Sequence, residues 1–178
     1  PTGRVISKLG IAARKNRVKR VCIKTLNYSE VFCDILNLTL AIRFSIDIPI
    51  SVSCQPLNSE QMKKLMEAGV DRISIALDAA TKEVFDEVKG ALARGPYTWE
   101  SQRKAVEEAV SVFGRKFVYT HLIAGLGEKE QEMVEAIQWC VDVGVYPSLF
   151  AFTPIYGTAL EKLPQPSIKS YRRIQLAQ

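Results

Sequence analysis

The sequence predicts an α/β fold: a partial (β/α) barrel of about five parallel strands with outer helices. Five short apolar segments recur, at 20–24, 50–55, 72–78, 118–123 and 149–153. On four of them, residue parity separates apolar from polar positions. Val21 and Ile23 alternate with Arg20, Cys22 and Lys24, and Ile50, Val52 and Cys54 with Ser51, Ser53 and Gln55. Ile73, Ile75 and Leu77 alternate with Arg72, Ser74, Ala76 and Asp78, and Val118, Thr120 and Leu122 with Tyr119, His121 and Ile123. Helical stretches separate the segments, as in a parallel sheet covered by helices. An antiparallel sheet with one wet face would show the same parity, but not the intervening helices.

Residues 1–178 read as one partial-barrel domain, with an N-terminal arm or helix (1–17), a core of β/α units (18–162) and a C-terminal helical segment (163–178). The first strand leads to Ser29, a good N-cap for a helix over roughly 30–45. Pro49 opens the second strand. Asn58 or Ser59 caps a helix over 60–68, with Met62, Leu65 and Met66 as its apolar stripe. Gly69 supplies the residue type that a left-handed helix end requires. The third strand runs to Asp78, and Thr81 starts a short helix containing Val84, Phe85 and Val88. A Gly/Ala/Arg loop over 90–96 precedes Thr98, which caps an amphipathic helix over 99–113. The fourth strand enters Gly125-Leu126-Gly127-Glu128, and a helix over 128–143 stops at Gly144. After the fifth strand come Thr153-Pro154 and a Gly157-Thr158 turn, and Ser167 caps a final helix.

The parity puts branched aliphatics toward the helices and Cys, Lys, Ser, Gln, Asp, Tyr and His toward the inside, whereas closed (β/α) barrels fill their interior with Val, Ile and Leu. A polar inner face must be paired or line a ligand cavity. With 178 residues, 47% of them hydrophobic, the chain can bury a core of its own. Five β/α units cannot close an eight-stranded barrel, so the chain is expected to be an open half-barrel or to lack flanking sequence. No apolar run approaches the roughly 20 residues that span a membrane. Much of the net charge of +5 lies early, in Arg14, Lys15, Arg17, Lys19 and Arg20. These basic residues lack interleaved aromatics and any binding motif, which argues against nucleic acid and for a solvated helix end. Cys22, Cys33, Cys54 and Cys140 make no C-x-x-C or other close metal spacing, which fits a reducing cytoplasm, and Cys33 and Cys140 are expected to be buried in helices.

Loops after the strand C-termini form the site in such folds. Asp78 stands there, either to accept ribose hydroxyls or to cap the next helix. Gly125 and Gly127 either let a ligand approach the backbone or make a tight turn, and Glu128 is expected to cap its own helix. His121 is either a ligand or proton carrier or a satisfied core histidine. Lys24 could attack a carbonyl, pair with a ligand carboxylate or pair internally with Asp78. Cys22, Lys24, Ser51, Ser53, Gln55, Ser74, Tyr119 and His121 form the substrate-facing set. No P-loop, H-x-H or G-x-S-x-G is present, which removes the usual signs of phosphoryl transfer, binuclear metal hydrolysis and serine hydrolysis.

Several motifs together resemble radical S-adenosylmethionine enzymes, and within them the biotin-synthase-like branch. Glu67-Ala68-Gly69-Val70-Asp71-Arg72-Ile73-Ser74-Ile75-Ala76-Leu77-Asp78-Ala79 resembles the family's fourth strand. His121-Leu122-Ile123-Ala124-Gly125-Leu126-Gly127-Glu128 resembles the glycine-rich fifth, and Phe152-Thr153-Pro154-Ile155-Tyr156-Gly157-Thr158-Ala159-Leu160-Glu161 the sixth. Arg20-Val21-Cys22 is similar to the second strand. The resemblance implies a TIM-barrel-type fold holding S-adenosylmethionine and a [4Fe-4S] cluster, with hydrogen abstraction by a 5′-deoxyadenosyl radical and sulfur insertion as one outcome. It implies that Asp78 contacts the ribose, that Ile123 and Gly125 lie by the adenine, that Ile155 and Gly157 close over it, and that Asn27 stands near the methionine moiety. A small-molecule or carrier-protein substrate and an electron-donor protein are implied partners, and the open sheet edge suggests a homo-oligomer. The hallmark C-x-x-x-C-x-x-C is absent, so the cluster's ligands are expected outside this chain. Of three auxiliary-cluster cysteines in biotin synthase, only Cys22 has a match; Ser51 and Tyr119 occupy the other two positions, and Ala76 replaces a substrate-contacting Asn. Two rivals stand beside this reading: a cluster-free barrel lyase using Lys24, and a non-catalytic half-barrel partner subunit.

Overall fold

A computed structural model describes residues 2–178. Among these residues the elements run α1 (Thr2–Arg14), β1 (Val21–Lys24), α2 (Val31–Ser45), β2 (Ile50–Cys54), α3 (Ser59–Glu67), β3 (Arg72–Ile75), α4 (Lys82–Val88), α5 (Trp99–Phe113), β4 (Val118–Ala124), α6 (Glu130–Val143), β5 (Tyr146–Ala151) and α7 (Ile168–Ala177). The strands pair in parallel in the order β1-β2-β3-β4-β5. Each new strand joins the sheet next to its predecessor, which makes the open half-barrel that the parity predicts.

Parity sorts the sheet as expected. Ile50, Val52, Ile73, Ile75, Leu77, Val118 and Leu122 are buried on one face, and Met62, Leu65, Phe85, Val106, Met133 and Ile137 from the helices join them in the core. Five of the predicted helix ends also hold. Asn58 and Thr98 close capping boxes, Thr81 and Ser167 cap α4 and α7, and Gly144 ends α6 in the left-handed region at φ 88°. Such caps contribute roughly 1 kcal/mol each. Gly69 has φ 100°, and a Cβ there would meet the Arg43 guanidinium at 2.5 Å, so both backbone and space demand glycine.

Several expectations are corrected. Helix α2 takes Glu30 as N-cap with no side-chain bond, because the Tyr28 carbonyl already accepts the Val31 N–H at 3.2 Å and Ser29 lies inside that turn. Cys33 is exposed, not buried, since the inward stripe of α2 is Ile35, Thr39 and Ile42 and Cys33 falls off it. Strand β3 stops at Ile75, short of Asp78. The buried Thr120 hydroxyl inserts there, donating to the Ile75 carbonyl (2.8 Å) and accepting the Leu77 N–H (3.0 Å). The chain rejoins the sheet through a single bridge between Asp78 and Leu122. Helix α6 begins at Glu130, so Glu128 does not cap it. Strand β5 starts three residues earlier than predicted, at Tyr146, and includes Pro147, which an edge strand tolerates because one side of it needs no N–H donor.

Candidate functional site

The polar side chains of the four alternating strands converge on the concave face of the sheet. Register arranges them in rows. Cys22 lies beside Ser51 and Ser51 beside Arg72; one row up come Lys24, Ser53, Ser74, Tyr119 and Tyr146. His121 stands beside Ser148 in the next row toward the strand C-termini. Apart from Tyr146, they line a cavity of about 260 Å³. The structure thus brings Cys22, Lys24, Ser51, Ser53, Ser74, Tyr119 and His121 onto one wall. Gln55 lies just past β2, with its side-chain Oε1 buried and unpartnered.

Neighbours fix this wall. Arg72 Nη1 donates to the Tyr119 hydroxyl at 2.7 Å, and its guanidinium lies 5.5 Å from the Tyr119 ring centroid. Arg20 Nη1 donates to Ser51 Oγ at 3.1 Å. His121 Nε2 is 3.4 Å from Ser74 Oγ, and its ring meets Phe150 edge-on at 5.2 Å. Burial chiefly pushes the His121 pKa below its usual 6.5; the Asp78 carboxylate opposes this, and Lys24 and Lys89 add to it.

At the C-terminal end of the strands stands Asp78, with φ 68°, a conformation that non-glycine residues seldom adopt. Its N–H donates to the His121 carbonyl (2.8 Å), and its own carbonyl accepts the Ile123 N–H (2.8 Å). The Ile123 N–H is therefore already engaged. The Asp78 carboxylate does not pair with Lys24. Lys89, from the end of α4, donates to Asp78 Oδ2 at 2.8 Å and to the Ala76 carbonyl at 2.6 Å, beneath the Tyr97 ring. Buried Gln102 donates to the same carbonyl at 2.6 Å. Among the described residues, Asp78 Oδ1 has no hydrogen-bond partner.

The remaining predicted residues stand apart from the wall. Glu128 turns back on the glycine loop, accepting the Gly125 N–H at 2.7 Å and the Leu126 N–H at 2.9 Å. The chain's own carboxylate thus occupies the amides that a ligand anion would use. Gly125, at φ 98°, makes room for Pro166, whose Cδ would lie 2.7 Å from a Cβ. Asn27, Ile155 and Gly157 are exposed, and the Gly157 N–H is taken by Glu161 Oε2 at 2.7 Å. Sequence reading missed Arg20, Arg72, Lys89 and Gln102 as site residues. Parity marks Arg20 and Arg72 as polar-face residues; nothing local marks Lys89 or Gln102.

The cysteines do not fit an iron-sulfur cluster. No group of three His, Cys, Asp or Glu among the described residues could hold a metal ion. Cys22 and Cys33 are exposed and separate, while Cys54 and Cys140 are buried, their thiols pushed up to about 12 by desolvation, opposite to a thiolate ligand's need. Asp78 does suit a ribose: Lys89 fixes one oxygen, and the other is open to accept a hydroxyl.

A polar concave wall with an anchored carboxylate at the strand ends characterises this open parallel (β/α) half-barrel. The family model of the radical SAM superfamily matches residues 11–140, and the chain belongs to that superfamily. Solved structures show the same fold at low identity. HydG, a maturase of the [FeFe]-hydrogenase, aligns at 14% identity and TM-score 0.75, over 99% of this chain and 41% of its own. Methylornithine synthase (PylB) aligns at 14% identity and TM-score 0.71, over 97% of this chain and 52% of its own. HydG from Carboxydothermus hydrogenoformans aligns at 16% identity and TM-score 0.71, over 99% of this chain and 42% of its own. The chain therefore spans about half or less of the length of these proteins. No curated protein matches it at the sequence level. No helix among the described residues is long and apolar enough to cross a membrane.

Proposed function

We propose that this chain is the S-adenosylmethionine- and substrate-binding body of a radical S-adenosylmethionine enzyme with a biotin-synthase-like layout. The observation that carries this reading is the placement of Asp78, held by Lys89 at the strand C-termini above a wall of polar side chains. When bound, S-adenosylmethionine supplies the deoxyadenosyl group that takes a hydrogen atom from substrate. The chain's own residues do the rest. Asp78 Oδ1 accepts from the ribose, His121 presents a ring that burial favours in its neutral form, and the serines with Tyr119 orient the substrate.

The radical-generating cluster does not fit these residues, and no step is assigned to this chain through it. Only Cys22 puts a thiol on the wall, so insertion of sulfur from an auxiliary cluster held here is disfavoured. Hydrogen abstraction from a small-molecule substrate is the better match, with a separate protein supplying electrons. Calorimetric titration of the full-length protein carrying this chain tests the reading. S-adenosylmethionine should bind, and Asp78→Ala should weaken it about tenfold or more, equivalent to about 1.4 kcal/mol. Unchanged affinity in the variant would overturn the assignment.

A further inference from the structure

Three cations look onto the concave face without a counter-ion. Arg20, Lys24 and Arg72 line the cavity and make no salt bridge among the described residues. No Asp or Glu lines that cavity. The carboxylate above it, Asp78, is already paired with Lys89. Arg72 is half-buried, and the Tyr119 hydroxyl is the single side-chain partner of its guanidinium among the described residues. Burying an unpaired guanidinium nitrogen is costly, and such a group is normally satisfied by an anion or by water. Around the cations stand neutral donors: Ser53 and Ser74 between Lys24 and Tyr119, and the Tyr119 hydroxyl on Arg72.

We infer that the substrate of this site carries an oxyanion, a carboxylate or a phosphate, that docks on Arg20, Lys24 and Arg72, in the rows of the sheet below Asp78. The inference rests on reading the sheet face as a substrate wall. Charge-assisted bonds from guanidinium and ammonium groups to such oxygens are stronger than neutral ones, and the arginine fork suits both anions. The ladder also sets the substrate's direction. Ser74 lies opposite Tyr119 and Asp78 opposite Leu122, three residues further up β4. At about 3.3 Å per residue, the Lys24–Ser74 row is therefore roughly 10 Å below Asp78. An acid anchored by its charge at the bottom would extend its carbon chain along the strands toward the ribose-binding end. The charged end is thus the handle, and the reacting carbon is a neutral part of the molecule.

The test uses the full-length protein and probes of one chain length: octanoate, octyl phosphate and neutral octan-1-ol, titrated by calorimetry. At least one anion should bind, and octan-1-ol should bind at least tenfold more weakly. The tighter anion tells carboxylate from phosphate. Arg72→Met should weaken anion binding about tenfold, and Arg72→Lys, which keeps the charge but not the fork, should lose less. Lys24 is exposed, so Lys24→Met leaves the fold intact and should still cost severalfold in affinity. Absence of anion binding, equal binding of octan-1-ol, or unchanged affinity in both Met variants would overturn the inference. Titration with S-adenosylmethionine is read separately. Anion binding without S-adenosylmethionine binding would remove the proposed function and keep the oxyanion site; the converse would do the opposite.

Discussion

Lys89 Nζ sits 2.8 Å from Asp78 Oδ2 and 2.6 Å from the Ala76 carbonyl, tying the end of α4 to the irregular turn that follows β3. Both side chains are largely buried, with 11% of Lys89 and 25% of Asp78 exposed. Removing the lysine leaves a part-buried carboxylate with no counter-charge in an uncommon backbone conformation. Lys89→Met is therefore expected to destabilise the protein by about 1–3 kcal/mol in urea unfolding. Adding Asp78→Asn should recover part of that loss, because the uncompensated charge goes with it. A single variant as stable as the parent would show that the pair holds nothing together.

Thiol chemistry should divide the cysteines in two. Cys22 and Cys33 are exposed, whereas Cys54 and Cys140 lie in the core with thiols raised to about 12. An aromatic disulfide reagent at pH 8 should titrate two thiols quickly and the other two only on unfolding. Fast reaction of Cys54 or Cys140, identified by peptide mapping, would contradict the packing described above.

Much of the site was legible because a strand shows its two faces at every second residue. Parity alone places Cys22, Lys24, Ser51, Ser53, Ser74, Tyr119 and His121 on one wall, and it marks Arg20 and Arg72 as well. What stayed hidden depends on contacts between distant segments. Lys89 reaches Asp78 because α4 folds back over the strand ends, which no local pattern encodes. The end of β3 is set by the hydroxyl of Thr120, a residue of the neighbouring strand. Glu128 looks like a helix cap by position, yet it satisfies the amides of Gly125 and Leu126. The start of β5 is hard to read locally because Pro147 lacks an N–H donor and fits a strand only at a sheet edge. The shared parallel architecture, by contrast, follows from the order of elements.

The single histidine allows a clean electrostatic test. Burial, more than any neighbouring charge, lowers the His121 pKa from 6.5. The unfolded chain then takes up the proton more readily than the folded one. His121's contribution to stability is thus fully present above pH 6.5 and is lost as pH falls below it. Nitrogen-detected NMR of the imidazole should show a midpoint below 6.5. Lys24→Met should raise that midpoint by removing a cation, and Asp78→Asn should lower it by removing an anion. Shifts in the opposite directions would mean that these groups do not face His121.

The C-terminal helix offers the last test. Arg173 on α7 grips Glu130 at the start of α6 through two hydrogen bonds, one of them from Nε to Oε2 at 2.7 Å. Arg173 and then Ser170 hold the Glu130 carboxyl down at about 2, from an ordinary 4.5. A carboxyl whose pKa falls on folding favours the folded form above its unfolded value, and that advantage disappears as pH drops through the folded one. Docking of α7 should therefore loosen between about pH 4.5 and 2, earlier at high salt because the pair is solvent-exposed. Protection factors of the α7 amides, with the intrinsic pH dependence of exchange divided out, report the change across that range. Glu130→Gln should abolish the pH dependence of that protection while Ile174 continues to anchor the helix, since that side chain is buried against the core. Protection that is flat with pH in the parent protein would remove the ion pair as the tether and leave Ile174 to hold α7 alone.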